Sequence, residues 1–106
     1  MSDQGQPIQD LLRRRLALVS TISGLSARTH KLIQENAGAE MEILRLQLAL
    51  GLSPADGALL QALKETEDRA ETIRSQQEDC VAEIEAVEAA VMDIDRQIAS
   101  TKGGSS

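Results

Sequence analysis

The chain contains no Phe, no Trp and no Tyr among its 106 residues. Aromatic side chains supply much of the buried area of ordinary globular cores. Their absence leaves Leu, Ile, Val, Ala and Met to do the packing, which suits long helices meeting along a seam. Proline is scarce, with Pro7 and Pro54 only. The single cysteine, Cys80, cannot form an internal disulfide, and a reducing compartment is the simple reading. A small buried hydrophobe is its expected role.

Positive charge is also in short supply. The net charge is −6, and it is uneven. Residues 1–50 carry six Lys or Arg against five Asp or Glu, whereas residues 51–106 carry five against twelve. An acidic chain without stacking residues argues against a nucleic-acid partner, because phosphate contacts need a basic surface. The run 13-RRR-15 is too short to change this and is flanked by Leu11, Leu12 and Leu16. No stretch of about 18 uncharged apolar residues occurs, so no membrane span is expected. The opening 1-MSDQGQP-7 lacks the apolar run of a secretory signal. These features point to a cytoplasmic, intracellular protein.

Catalytic and metal-binding patterns are missing as well. His30 is the only histidine, so a helical zinc motif with two His on one face is excluded. No Gly-rich phosphate loop and no nucleophile with its base can be assembled. The expectations are no catalytic residue, no cofactor, no metal, no small-molecule substrate and no enzymatic activity.

What the chain does have is the heptad. From Ile8, taken as position a, apolar residues recur at alternating steps of three and four. The d positions read Leu11, Leu18, Leu25, Leu32, Ala39 and Leu46. The a positions read Ile8, Arg15, Ile22, Thr29, Asn36, Ile43 and Leu50. A second series follows, with Leu63, Ala70, Gln77, Ile84, Val91 and Ile98 at a. Its d positions are Leu59, Thr66, Ile73, Cys80, Val87 and Ile94. Runs of this length in one register define long coiled-coil helices.

The two registers do not join, and the break falls in 51-GLSPADG-57. Gly51 can end a helix in the left-handed conformation, with Leu52 folding back on the last turn. Ser53 can cap a new helix with Pro54 at its first position and Asp56 three residues after the cap. Gly51, Ser53 and Pro54 are thus the expected helix break. The division that follows is a disordered 1–6, helix 1 over 7–50, a tight bend at 51–53, helix 2 over 54–101 and a disordered 102–106. Each helix would span roughly 65 Å. So short a connection joins antiparallel neighbours, and the expected fold is all-α: an antiparallel helical hairpin and coiled coil.

Closing the hairpin near residue 52 would set Thr29 level with Gln77, Asn36 with Ala70 and Ala39 with Thr66. The weak layers would then fall together, and Arg15 would meet Glu88, Asp93 and Asp95. Asn36, with Thr29 and Gln77, is the candidate set for pairing specificity, since a buried amide at a fixes register and oligomer state.

Two helices without aromatics bury little, and helix 1 carries surplus apolar surface outside its seam. Leu12, Leu16, Val19, Ile33, Met41, Leu44, Leu48 and Leu52 form the expected interface on helix 1 and the bend. A parallel zipper is disfavoured, because Glu35 at g would meet Glu40 at e of the other chain. The surplus implies a second layer of helices, giving a four-helix or larger bundle. The expected partner is the chain itself or other coiled-coil subunits, and the expected function is that of a non-enzymatic scaffold or adaptor.

Two alternatives remain. The opening 1-MSDQGQPIQ-9 and Ile33-Gln34-Glu35 resemble the small coiled-coil proteins of the Sjögren's syndrome nuclear autoantigen family. That resemblance implies a self-assembling protein associated with microtubules, centrosomes and the cytoskeleton. Pro54 departs from the uninterrupted helix of that family. The second alternative is a helical chaperone or regulator that shields an apolar helix of a client.

Overall fold

The computed structural model describes residues 5–104. Two helices fill this span: α1, Gly5–Leu52, and α2, Gly57–Gly104. They run antiparallel, as a helical hairpin. Both extend past the limits that the sequence suggests. Of the flanks expected to be disordered, Gly5, Gln6 and residues 102–104 are helical; 1–4 and 105–106 lie outside the described residues. Pro7 is tolerated in a first helical turn, where its missing N–H would have no helical acceptor. At the other end the Thr101 hydroxyl donates to the Gln97 carbonyl at 2.9 Å. Lys102 places a cation in the last turn, where the helix dipole favours it.

The heptads explain the pairing. All twenty-five seam positions of the two series are buried or half-buried. The flanks of the seam differ from one another. Five g positions are half-buried (Glu42, Ala49, Ala62, Gln76 and Ala90), while every described e position is exposed. In an antiparallel pair the two g rows share one flank and the two e rows the other, so one side of the seam is open.

Packing divides the chain into two compact units. One is Arg28–Cys80, which contains the bend; the other takes the chain up to Ala27 and from Val81 on.

In the bend unit the turn is built otherwise than its sequence suggests. Gly51 is helical, and no described glycine has a positive φ. Leu52 does not fold back, and is 90% exposed. The Ser53 N–H still donates to the Ala49 carbonyl, and the Asp56 N–H closes a four-residue turn on the Ser53 carbonyl, both at 3.1 Å. Pro54 is therefore the second residue of a β-turn, a place its fixed φ also fits. It is not the first residue of α2. Asp56 is the cap: its Oδ1 accepts the N–H groups of Ala58 at 3.0 Å and Leu59 at 3.1 Å. Those are the donors an N-cap side chain satisfies. Ser53, expected in this role, sits in the turn.

The later turn shifts the register. Ser53 and Asp56 face each other, so positions level across the seam have numbers that add to 109. Ala39 is then level with Ala70, Asn36 with Ile73, Thr29 with Cys80 and Leu32 with Gln77. The expected matching of Thr29 with Gln77, Asn36 with Ala70 and Ala39 with Thr66 is displaced by about one helical turn. Every a position now meets a d position, as antiparallel packing requires. Leu32, Ala39, Ala70, Ile73 and Cys80 form the core cluster of this unit, with Ile43 against it. Ala39 and Ala70 are 2% and 0% exposed. Two methyl groups in one layer let the backbones approach closely. Thr66 is buried too, and its hydroxyl donates back to the Ala62 carbonyl at 2.9 Å.

The second unit has the same pattern with looser cover. Only Leu11 and Ile94 are buried, and the rest of its seam is half-buried. Arg15, at an a position, reaches out of the seam, where its Nε donates to Asp95 Oδ1 at 2.7 Å. That pair is one of the contacts anticipated for Arg15. Asp95 holds the guanidinium pKa above its ordinary value, first through this hydrogen bond and then through its charge.

Candidate helix-docking face

The residues that matter here are apolar side chains that folding leaves uncovered. Each helix spends its a and d positions on the other. Side chains at b and f point away from the seam, and those at e lie exposed on its open flank.

Helix α1 carries most of them. In the second unit Leu12 is 51% exposed, Leu16 67% and Val19 37%. Gln9, Leu12, Arg13 and Leu16 line a shallow hollow on the surface of α1 there. In the bend unit Ile33, Met41, Leu44, Leu48 and Leu52 are all at least half exposed, Met41 at 74%. Every residue expected at the interface is therefore uncovered in the hairpin. Helix α2 adds Leu60, Val81 and Met92, which sequence reasoning passed over. Leu60, Val81 and Met92 each directly follow a seam residue, on a helix whose other outward positions are largely acidic or polar.

Charge around this surface is largely self-contained. Arg45 donates through Nε to Glu42 at 3.0 Å, which holds the glutamate below its ordinary range. Arg13 pairs with Asp10 at 3.4 Å and Arg96 with Asp93 at 3.3 Å. Exposed pairs of this kind contribute little stability. They do pair Arg13 and Arg45, two of the cations beside the apolar side chains of α1.

A second groove type lies on the covered flank of the Ala27/Val81 unit. Small side chains at its rim, including Ala17, Thr21 and Ala90, leave a furrow between the helices, with Leu18 and Ile94 at its base. A neighbouring hollow shares Arg14 and runs to Ser100 and Thr101. Both are open furrows between two helices, not enclosed pockets.

The expected specificity set is dispersed. Asn36, Thr29 and Gln77 are all half-buried seam residues, but the observed register places them in three different layers. Asn36 donates through Nδ2 to Glu40 at 3.3 Å, while its Oδ1 is buried with no partner. Its level neighbour Ile73 has nothing to donate.

His30 is exposed on α1, and Cys80 is buried as a free thiol. Among the described residues, no three His, Cys, Asp or Glu side chains gather where they could hold a metal ion. No helix among the described residues is long and apolar enough to cross a membrane. The fold and the uncovered side chains define a class: a coiled-coil helical hairpin that leaves large apolar residues exposed, most of them on α1. Compared with protein-family models, curated proteins and solved structures, the chain matches none.

Proposed function

We propose that this chain is a non-enzymatic assembly subunit, a scaffold or adaptor that binds other helices by packing them against α1. The observation that carries this reading is the contrast within α1 itself. Its seam residues are all buried or half-buried, and yet seven large apolar side chains between Leu12 and Leu48 remain at least 37% exposed. Burying apolar surface contributes about 25 cal/mol per Å², so a helix laid on this face gains what the hairpin leaves unused. Exposed apolar side chains clustered within each unit, Leu12, Leu16 and Val19 in one and Met41, Leu44 and Leu48 in the other, support an interaction role.

The mechanism needs no chemistry beyond this. Pairing with α2 leaves the outer side chains of α1 free to pack, and α2 keeps acidic side chains such as Glu71, Glu78 and Glu85 toward solvent. Size measurement in cell extract tests the reading without assuming a partner. The wild-type chain should run in a particle heavier than its own 11.4 kDa. Leu44→Glu with Leu48→Glu should collapse that particle to the free hairpin while circular dichroism stays helical. A wild-type chain that runs alone in extract and purified form contradicts the reading.

A further inference from the structure

In the bend unit the outer side of α1 carries a heptad of its own. Ala37, Met41, Leu44, Leu48 and Gly51 stand at b and f, opposite the seam, at steps of four, three, four and three. All five are exposed and none is charged. Alternation of four and three is the spacing of a coiled-coil stripe, so this stripe can receive a helix as the seam receives α2. Upstream the same rows carry His30 and Gln34, which confines the apolar stretch to the bend end. Every residue involved lies within Arg28–Cys80.

The rows beside the stripe decide which helix fits. On one side is the e row, with Ile33, Glu40 and Gln47. On the other is the c row, with Gly38, Arg45 and Leu52. In a parallel pair of two copies the e row of each faces the c row of the other, five residues on. Glu40 then faces Arg45, Ile33 faces Gly38 and Gln47 faces Leu52, and the two-fold axis makes each contact twice. An antiparallel pair with the stripes fully overlapped sets the two c rows together and brings Arg45 against Arg45. Charge therefore favours the parallel pair.

Both charged groups have capacity left for a second partner. Asn36 donates to Oε1 of Glu40, leaving Oε2. Glu42 takes Nε and Nη2 of Arg45, and a guanidinium has five N–H donors. A parallel pair in register asks no symmetry of the sequence, since Met41, Leu44 and Leu48 each meet their own copy.

We propose that two copies of this chain pair in parallel through the outer face of α1 in the bend unit, from Ala37 to Leu52, with reciprocal Glu40–Arg45 pairs beside the contact. This rests on the helix-packing reading above and supplies its partner, orientation and register.

Cysteine cross-linking tests it, in a Cys80→Ala background so that only introduced thiols react. Ala37→Cys and Gly51→Cys should each give covalent dimers with a short bifunctional thiol reagent. A Cβ at Gly51 meets open space, so the substitution fits the hairpin. Mixing the two variants, one of them tagged, should give little mixed product, because the sites lie 14 residues apart along the pair, about 21 Å. Ser75→Cys, exposed on α2, should not self-link and controls for random collision. Glu40→Arg should raise the dimer dissociation constant roughly tenfold, from two lost pairs and new repulsion, and Glu40→Arg with Arg45→Glu should restore it. Circular dichroism checks that each variant stays helical. Mixed product as abundant as the self-linked dimers would mean an antiparallel contact and overturn the proposal. So would a purified chain that sediments singly. If that chain is still found in a larger particle in extract, pairing with a second copy fails and helix packing stands; if it is single in both, both fail.

Discussion

The two units of this hairpin share one heptad and differ in how well they close. Seven of the nine buried residues lie in Arg28–Cys80, and only Leu11 and Ile94 lie in the other unit. The difference follows from side-chain size. Ala39, Ala70 and Cys80 are small seam residues that let the helices of the bend unit approach. The second unit sets Leu18, Ile22, Leu25, Ile84 and Val91 in its seam, and all stay half-buried. A larger apolar side chain does not guarantee a better-covered seam. Covalent closure by the turn adds to the contrast, since it supplies the bend unit with a short loop to close.

The comparison can be broken by truncation. Leu46→Ala removes a side chain only 2% exposed and should cost about 2–5 kcal/mol. Leu18→Ala, at a half-buried position of the second unit, should cost less than half as much in urea melts followed by circular dichroism. Equal costs would show that exposure does not distinguish the units.

Asn36 sharpens the same contrast from the other direction. Its Oδ1 is the one buried side-chain acceptor without a partner among the described residues. Asn36→Leu removes that penalty and should stabilise the hairpin by about 1–3 kcal/mol. A loss of stability would mean that the amide is satisfied in solution, by water or by a partner's donor.

The cap at the turn comes next in size. Asp56→Ala should cost about 0.5–2 kcal/mol, while Ser53→Ala should cost clearly less. The opposite order in thermal melts would return the capping role to Ser53. The smallest effect concerns charge. Arg45 holds Glu42 below its ordinary pKa, so this pair stabilises the fold above the ordinary glutamate range and loses that contribution as pH falls through the lowered value. Arg45→Ala should move the Glu42 titration back up, read by carboxyl carbon NMR, with little change in stability.

How much of this was legible in the residues? The seam was, completely, because a period of 3.5 repeated over a whole helix has no competing explanation. The uncovered residues of α1 stand in the sequence as apolar side chains outside the a and d positions. The turn was misplaced because Pro54 fits two local geometries, the first turn of a helix and the second position of a β-turn. Nothing local separates them; the cap bonds of Asp56 do. That small misplacement moved every facing pair by about a turn, and with it the expected layer of Thr29, Asn36 and Gln77. The Arg15 contact survived because several acidic residues lie along that stretch of α2. Leu60, Val81 and Met92 were hidden by an otherwise acidic helix.

Reversal of the chain at Ser53–Asp56 is the claim on which both the seam and the uncovered face depend. Spin labels at Arg13 and Arg96, which lie in the same unit, measure it directly, with the labelled chain diluted in unlabelled protein. The hairpin predicts a separation of roughly 20–35 Å, two helix diameters plus the label arms. A single continuous helix would place those labels over about 100 Å apart, and that result would contradict the account.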